Sequence, residues 1–588
     1  MISITLNFVL CSLQLYPAAF IVCLVAFFSV GLVMTSMLWH IGWRVRPSLL
    51  ALLVVGCSSA LGYGFFWLYL ASPIVGKLAT FALVAALPFY FLIHSSRMKI
   101  KELIRLPDLW IPLVLVFSAG LFLTAITYAV VEHGAVCHKN DTRFVERQFA
   151  AGGADYLIQD FWANSMTQGS PPWHAVLDAQ NARTVVSDRP PLLAGIVLIF
   201  KSLVPEEYAF VYYMAMTSVA SLAWIPAIWG LARAAGLTLA RTSALIVTLA
   251  FVFYFWFSTI YSWPKALSGS LFVGAFLLLF LDRKNETESI SLKPIILGAG
   301  FAGLSFATHN STALLLQVMA LLMLMPNRWL GLKHTTIAAC VFLAITMPYM
   351  VLKSVNEVSS SSLAKWTFSG PLVRSLPQAE YDAMSILDVM RRTYSTLSWR
   401  EIIRLKAHSV ASIASPPCLL GCDKMSYKLS RGHEFWSILG SLKLFNLGWL
   451  ILVPLLLGGI KLGLPPPWAR VRVVARDCIL VALPGLIGFA LLTFDGVSNI
   501  VSSGFMLLLF AAMGLPLFSL PWKIIALFSL LVVANFLWFT VNVYNEEVFV
   551  TLDFTLLALA LLATGVLAAI IKASARVDHV DSPLNMKN

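Results

Sequence analysis

Apolar stretches of about 20 residues, the length that carries an α-helix across the hydrocarbon core of a bilayer, recur from residue 17 to residue 571. Each is bounded by polar, basic or proline-containing residues. The pattern predicts about fifteen membrane-spanning helices, over 17–39, 48–71, 74–95, 110–131, 208–232, 240–258, 263–281, 294–308, 312–326, 335–353, 441–460, 478–494, 499–519, 524–543 and 549–571. Tight hairpins join most of them. Two segments are much longer, 132–207 and 354–440, and both carry aromatic residues and paired charges, which favours ordered, functional loops.

Charge fixes the register of these spans. Arg44 and Arg46, then Arg97, Lys99, Lys101 and Arg105, then Arg233 and Arg241 all fall on one side. Arg283 and Lys284, Arg328 and Lys333, and finally Lys461, Arg470, Arg472 and Arg476 fall there too. The turns opposite, near 258–262, 309–311, 495–498 and 544–548, have neither Lys nor Arg, with Lys77 and Lys265 the near-membrane exceptions. Basic residues mark cytoplasmic loops. The N-terminus and both long segments are therefore expected on the extracytoplasmic side, and the C-terminal tail in the cytoplasm.

Composition narrows the class. With 59% hydrophobic and 12% charged residues over 588 positions, a soluble fold is excluded. The formal charge of +13 is accounted for by topology and by anionic lipid, with no nucleic-acid motif beside it. Of the eight cysteines, Cys11, Cys23, Cys57, Cys340 and Cys478 lie in or beside apolar runs, where Cys serves as a small hydrophobe. Cys418 and Cys422 fall in a polar loop and are read either as a disulfide or as two free thiols. The first fifteen residues carry no basic residue and no small-residue cleavage site, so no cleavable signal peptide is expected.

Within the first long segment, "GGADYLIQDFWANSM" (152–166) reads as an amphipathic helix on the membrane surface, with Tyr156, Leu157, Phe161, Trp162 and Met166 on its apolar side. Asp155 stands at its start, where a carboxylate meets the positive end of the helix dipole or simply caps the helix. Further on, "SDRPPLLAG" places Pro190 and Pro191 at the first turn of a short apolar helix, 191–203, expected in the outer interface. Arg189 is thereby held at headgroup level. A guanidinium there suits a lipid phosphate or pyrophosphate, or snorkels to any headgroup.

These features resemble the GT-C superfamily of membrane glycosyltransferases, in particular protein O-mannosyltransferases and the transferases that add aminoarabinose to lipid A. The likeness rests on an acidic residue opening a juxtamembrane helix about thirty-five residues before a basic-Pro-Pro-Leu motif, and on the span ending "IWGLARAAG". It continues through "GAGFAGLSFATHNSTALLLQVMALLMLMPNRW" (298–329) and "TTIAACVFLAITMPYMVLKSVNE" (335–357). It departs where Tyr156 follows Asp155 in place of a second acid, and where His309 stands at a position often filled by lysine. The resemblance implies an all-α polytopic membrane protein with a GT-C-like helical bundle. It divides the chain into three extra N-terminal spans (1–109), a catalytic module (110–357, including 132–207), a second outer loop or cap (358–440), and C-terminal spans with a tail (441–588).

It further implies transfer of a sugar from a polyprenyl-phosphate donor to a lipid, polysaccharide or protein acceptor at the outer face, with inversion, as expected of a bacterial inner-membrane enzyme. Asp155 is the candidate general base, with Asp160 or Asp141 as alternatives, and Asp188 and Tyr156 as supporting residues. Arg189, Lys265 and His309 are the candidates for the donor phosphate. In the second long segment, "YDAMSILDVMRRTYSTLSWREIIRLKAHS" (381–409) supplies Arg391, Arg392 and Arg400, read either as an acceptor-binding lid or as a solvated cap. No cofactor is required and no metal-ligand pattern is present, although some members of the superfamily use a divalent cation. The alternatives are a flippase or transporter for lipid-linked sugars and an O-antigen-type polymerase.

Overall fold

The computed structural model describes residues 16–94, 105–132, 158–173, 176–179, 182–185, 189–260, 263–281, 291–325, 330–356, 365, 367–368, 376–414, 467–494, 503–545, 565, 569 and 572. Asp141, Asp155, Tyr156, Asp188, Cys418, Cys422 and the span expected over 441–460 lie outside them, as does nearly all of that over 549–571.

The described residues are overwhelmingly helical, as the apolar pattern requires. The chain begins with α1 (Tyr16–His40), α2 (Leu50–Ala71), α3 (Pro73–His94) and α4 (Pro107–Glu132). The first long segment contributes α5 (Ile158–Thr167), the strands β1 (Val176–Ala179) and β2 (Ala182–Val185), and α6 (Leu192–Lys201). The strands pair antiparallel, Val176 opposite Val185, and are the described departure from an all-helical chain. Then follow α7 (Ala209–Ser221), α8 (Trp224–Ala234), α9 (Leu239–Ala250), α10 (Phe253–Ile260), α11 (Lys265–Phe276), α12 (Leu292–Thr308), α13 (Thr312–Met323) and α14 (Leu332–Asn356). The second long segment holds α15 (Gln378–Ala383), α16 (Ile386–Ser395) and α17 (Trp399–Ala414), and the chain continues through α18 (Pro467–Leu492), α19 (Ser503–Phe518) and α20 (Trp522–Asn545). Among the described residues, six helices are long and apolar enough to cross a membrane, and further apolar helices of 10–17 residues pack with them.

The stretch expected as one span over 208–232 lies in one run, Glu206–Ala234, long and apolar enough to cross a membrane, with a tightened turn between α7 and α8. Pro226 has no N–H for the Leu222 carbonyl, which instead accepts from the Ile225 N–H at 3.0 Å, a tighter i to i−3 step. The stretch expected over 240–258 divides, through three such steps from Phe251 to Phe255. Thr248 returns its hydroxyl to the Ala244 carbonyl at 2.8 Å just before that point, a bond that bends helices.

Close crossings set the centre of the bundle. At Gly195 a Cβ would lie 2.2 Å from the Gly62 carbonyl oxygen, so α6 lies directly on the backbone of α2. Small residues permit this contact, which is a common way for helices to associate in membranes. Phe301 of α12 fits between Gly56 and Gly274 in the same manner. The helix expected at the outer interface, α6, is thus enclosed by protein, with nearly every residue buried.

Towards the other side, the Asp108 carboxylate accepts hydrogen bonds from Trp229 Nε1 at 2.9 Å and from Arg233 Nε at 2.8 Å, and Arg233 Nη1 reaches the Leu237 carbonyl at 2.6 Å. This cluster ties the start of α4 to the end of α8. Asp108→Ala would leave a half-buried guanidinium and an indole N–H without that acceptor. It is expected to cost about 2 kcal/mol, read as a lower unfolding midpoint in detergent, with no such shift for Asp108→Glu if the carboxylate still reaches Arg233.

Candidate functional site: a buried basic cluster beside an apolar cavity

Arg189, Lys265 and His309 come from three separate parts of the chain, and the structure brings them together. Arg189 precedes the proline turn at the start of α6. Its carbonyl accepts from the Tyr349 hydroxyl of α14 at 3.0 Å. The next carbonyl, of Pro190, accepts from Gln159 Nε2 at 3.4 Å, while Gln159 Oε1 accepts the Ala194 N–H at 3.1 Å. Gln159 therefore caps the first turn of α6 from the neighbouring α5, replacing donors and acceptors that the turn cannot supply itself. The guanidinium is buried as a result.

Lys265 and His309 are levelled by a pair of serines. Ser268, one turn past Lys265 on α11, donates to the Ser305 carbonyl at 2.7 Å, and Ser305, one turn before His309 on α12, donates to the Ser268 carbonyl at 2.8 Å. This reciprocal pair fixes the register of the two helices. Lys265 Nζ lies 3.5 Å from the centroid of the Trp263 ring, a cation–π contact that holds a buried ammonium.

The His309 ring is oriented by its own turn. Nδ1 accepts the Ser311 backbone N–H at 3.1 Å, with the Ser311 hydroxyl 2.7 Å from the same atom. Nε2 stands 3.5 Å from Arg189 Nη1, which sets the imidazole directly against the guanidinium. Burial first, then the charges of Lys265 and Arg189, push the His309 pKa well below its ordinary value. The imidazole is neutral at physiological pH, and the two cations supply the charge.

The depressed pKa gives a sign. As pH falls through about 6.5, the ordinary imidazole value, the unfolded chain takes up a proton that the folded chain refuses, so stability present above that range is lost below it. The slope approaches about 1.4 kcal/mol per pH unit for one proton. Unfolding midpoints of wild type and His309→Gln between pH 7 and pH 5 are expected to diverge accordingly, with the variant showing the shallower decline. Equal slopes would show that His309 does not titrate in this way.

Beside the cluster lies a cavity of about 290 Å³. Tyr63, Pro190, Phe306 and Tyr349 give it an apolar wall, and Asn310 and Lys353 add polar groups. The surrounding α14 is largely exposed, consistent with a helix facing lipid.

Asp160, an alternative base in the sequence reading, sits in the first turn of α5 with Lys201 Nζ at 3.3 Å and Asn164 Nδ2 at 2.9 Å. Burial raises its pKa and the Lys201 charge opposes that. The pair joins α5 to the end of α6. Helix α5 is described only from Ile158, so Asp155 is not placed. Arg391 lies 3.9 Å from Asp388, Arg392 pairs with Glu380, and Arg400 is exposed. None of these three joins the buried cluster through a described contact. Among the described residues no group of three or more His, Cys, Asp or Glu is placed to hold a metal ion.

Gln159 and Tyr349 are the site residues that sequence reading missed. Gln159 shares a helical face with Trp162 and Met166, all three buried. An amide on an apolar stripe signals a buried hydrogen-bonding duty. Tyr349 gave no local signal beyond following Pro348.

The fold and cluster define a multi-pass helical membrane protein with a buried, twice-cationic site at the ends of its helices. No family model matches the chain, and no curated protein matches it. Among solved structures it is similar to ArnT from Cupriavidus metallidurans bound to undecaprenyl phosphate, at 12% identity and a TM-score of 0.28, over 62% of this chain and 74% of that one. The same protein in the apo state gives 12% and 0.27 over the same shares. A likeness this loose transfers neither residues nor chemistry to this chain.

Proposed function

We propose that this protein is a membrane glycosyltransferase that moves a sugar from a polyprenyl-phosphate donor to a lipid, polysaccharide or protein acceptor at the extracytoplasmic face of a bacterial inner membrane. The observation that carries this reading is the convergence of Arg189, Lys265 and neutral His309 beside an apolar cavity. Cations and an N–H donor held together suit the oxygens of a phosphate. A phosphate with a hydrocarbon tail satisfies both parts, its oxygens on the three donors and its first isoprene units against Tyr63, Phe306 and Tyr349.

In the reaction, the acceptor hydroxyl or amine attacks the anomeric carbon and the bond from that carbon to the phosphate oxygen breaks, with inversion. The acceptor proton passes to a carboxylate, assigned to Asp155 on the sequence resemblance. The leaving polyprenyl phosphate gains negative charge, which Arg189, Lys265 and the His309 N–H stabilise. Asp160 is less suited to the base role because Lys201 and Asn164 already engage it.

The test is transfer of radiolabelled sugar from membrane lipid to endogenous acceptor, with binding of polyprenyl phosphate to the purified protein measured in parallel. Asp155→Asn is expected to retain binding and lose transfer. Wild-type protein that binds the lipid-linked sugar without transferring it would overturn the enzyme reading in favour of a flippase. Failure to bind polyprenyl phosphate at all would overturn the site assignment.

A further inference from the structure

Helix α17 presents Trp399 and Ile403 to the outside, 79% and 65% exposed, one turn apart on the same stripe. Leu387 on α16 is 71% exposed. Arg400 and Arg404 lie together along one edge of the α17 stripe, both exposed, and among the described residues neither is ion-paired. The two carboxylates on these helices are occupied locally. Asp388 and Glu401 accept from the N-cap residues Ser385 and Ser398, whose bonds hold both below the ordinary carboxylate range. Arg391 and Arg392 face Asp388 and Glu380. The charge flanking the apolar stripe is therefore positive.

Farther along the same face of α17, one heptad after Trp399, Lys406 ties the helix to the end of a membrane span. Lys406 Nζ donates to the Thr493 carbonyl at 2.6 Å and to the Tyr394 hydroxyl at 2.6 Å. Thr493 closes α18, its N–H bonded to the Phe489 carbonyl at 2.9 Å. The basic residues Arg470, Arg472 and Arg476 lie at the other end of α18, so Thr493 marks the limit of its apolar part. Trp399 is seven residues from Lys406, about 10 Å along the helix, which keeps the stripe close to that limit.

From this geometry we infer that α17 is a membrane-surface helix whose Trp399–Ile403 stripe inserts into the interface of the leaflet where α18 ends, with Arg400 and Arg404 binding the phosphates of anionic phospholipids. An indole suits the boundary between headgroups and acyl chains, and paired arginines beside an apolar face select anionic headgroups. The assignment stands independently of the transferase reading. It gives Arg400 a phospholipid partner in place of the acceptor.

The test uses the full chain labelled with 5-fluorotryptophan and reconstituted in nanodiscs of phosphatidylcholine, with or without phosphatidylglycerol. The Trp399 fluorine resonance is identified by its loss in Trp399→Phe, a change at an exposed position that leaves the fold intact. The expected result is strong broadening by doxyl-labelled phosphatidylcholine and weak broadening by a water-soluble gadolinium chelate. The lipid effect should grow at least twofold when phosphatidylglycerol is added, and that increase should vanish in Arg400→Gln/Arg404→Gln. A resonance broadened by the aqueous chelate and untouched by the lipid label in both bilayers would overturn the inference. So would a resonance that stays aqueous and shifts only on addition of an anionic polysaccharide, the result for an acceptor-facing lid.

Discussion

Arg189→Gln is expected to weaken binding of polyprenyl phosphate by roughly a hundredfold, about 3 kcal/mol, while the folded protein survives. The guanidinium supplies charge and a planar pair of donors, and glutamine retains hydrogen-bonding capacity without either charge or fork. Arg189→Lys restores the charge alone and should recover part of the loss. The fold is spared because the contacts that build the turn use backbone atoms. Tyr349 holds the Arg189 carbonyl and Gln159 holds the Pro190 carbonyl, and neither depends on the Arg189 side chain. Removing the guanidinium also removes one of the two charges that oppose protonation of His309. The His309 imidazole should then titrate at higher pH than in wild type, a shift visible by proton NMR of a selectively labelled histidine. Unchanged binding with an unchanged His309 titration would dissociate Arg189 from the cluster and dismantle the proposed phosphate site.

Gly195→Val should be more damaging to the fold than any other single change considered for this protein. A Cβ there would sit 2.2 Å from the Gly62 carbonyl oxygen and 2.8 Å from its carbonyl carbon, which are backbone atoms that no rotamer change can move. The reciprocal position is equally tight, since a Cβ at Gly62 would meet the Ile196 Cα and N at 2.9 Å. Helices α2 and α6 would have to separate, and overpacking of this kind costs about 3 kcal/mol. Because α6 begins at Leu192, three residues after Arg189 and directly after Pro190 and Pro191, its displacement also moves the guanidinium off the cluster. The expected readout is a broadened or early-eluting size-exclusion profile and a large drop in the unfolding midpoint. Gly300→Ala and Gly488→Ala are the controls, since a Cβ at either meets nothing within 4 Å. They should stay within about 1 kcal/mol of wild type. Equal tolerance at Gly195 and Gly300 would show that the α2–α6 crossing is not close-packed in the bilayer.

Much of the basic cluster was legible in the sequence, for a definite reason. Charged residues are so rare near the spans of this chain that each one beside an apolar run asks for an explanation. Arg189 at a Pro-Pro turn, Lys265 as one of two near-membrane exceptions to the charge pattern, and His309 in a two-helix turn stand out in that way. The base is a different case. Asp155, Asp160 and Asp141 could not be ranked by local pattern beyond their distance from the turn. The structure engages Asp160 with Lys201, a partner 41 positions away, which no window of sequence contains. Gln159 was overlooked because polar residues are ordinarily assigned to the wet face of an amphipathic helix, whereas here its amide completes a neighbouring helix.

The sequence by itself determined the helical membrane class, most helix limits among the described residues, and the turns at Pro190–Pro191 and at His309. These depend on hydrophobic runs, prolines and caps, which act over a few residues. Only the tertiary structure decided that α6 is enclosed against α2 and that the stretch near 251 is broken. It alone also placed Arg189 against His309, 120 positions away. Those outcomes depend on which helix backbones approach closely enough to touch, at Gly62 and Gly195 and at the Ser268–Ser305 pair. Lipid is as apolar as the helix faces it covers, so hydropathy places a helix in the bilayer but leaves its neighbour to be chosen by steric fit and buried hydrogen bonds.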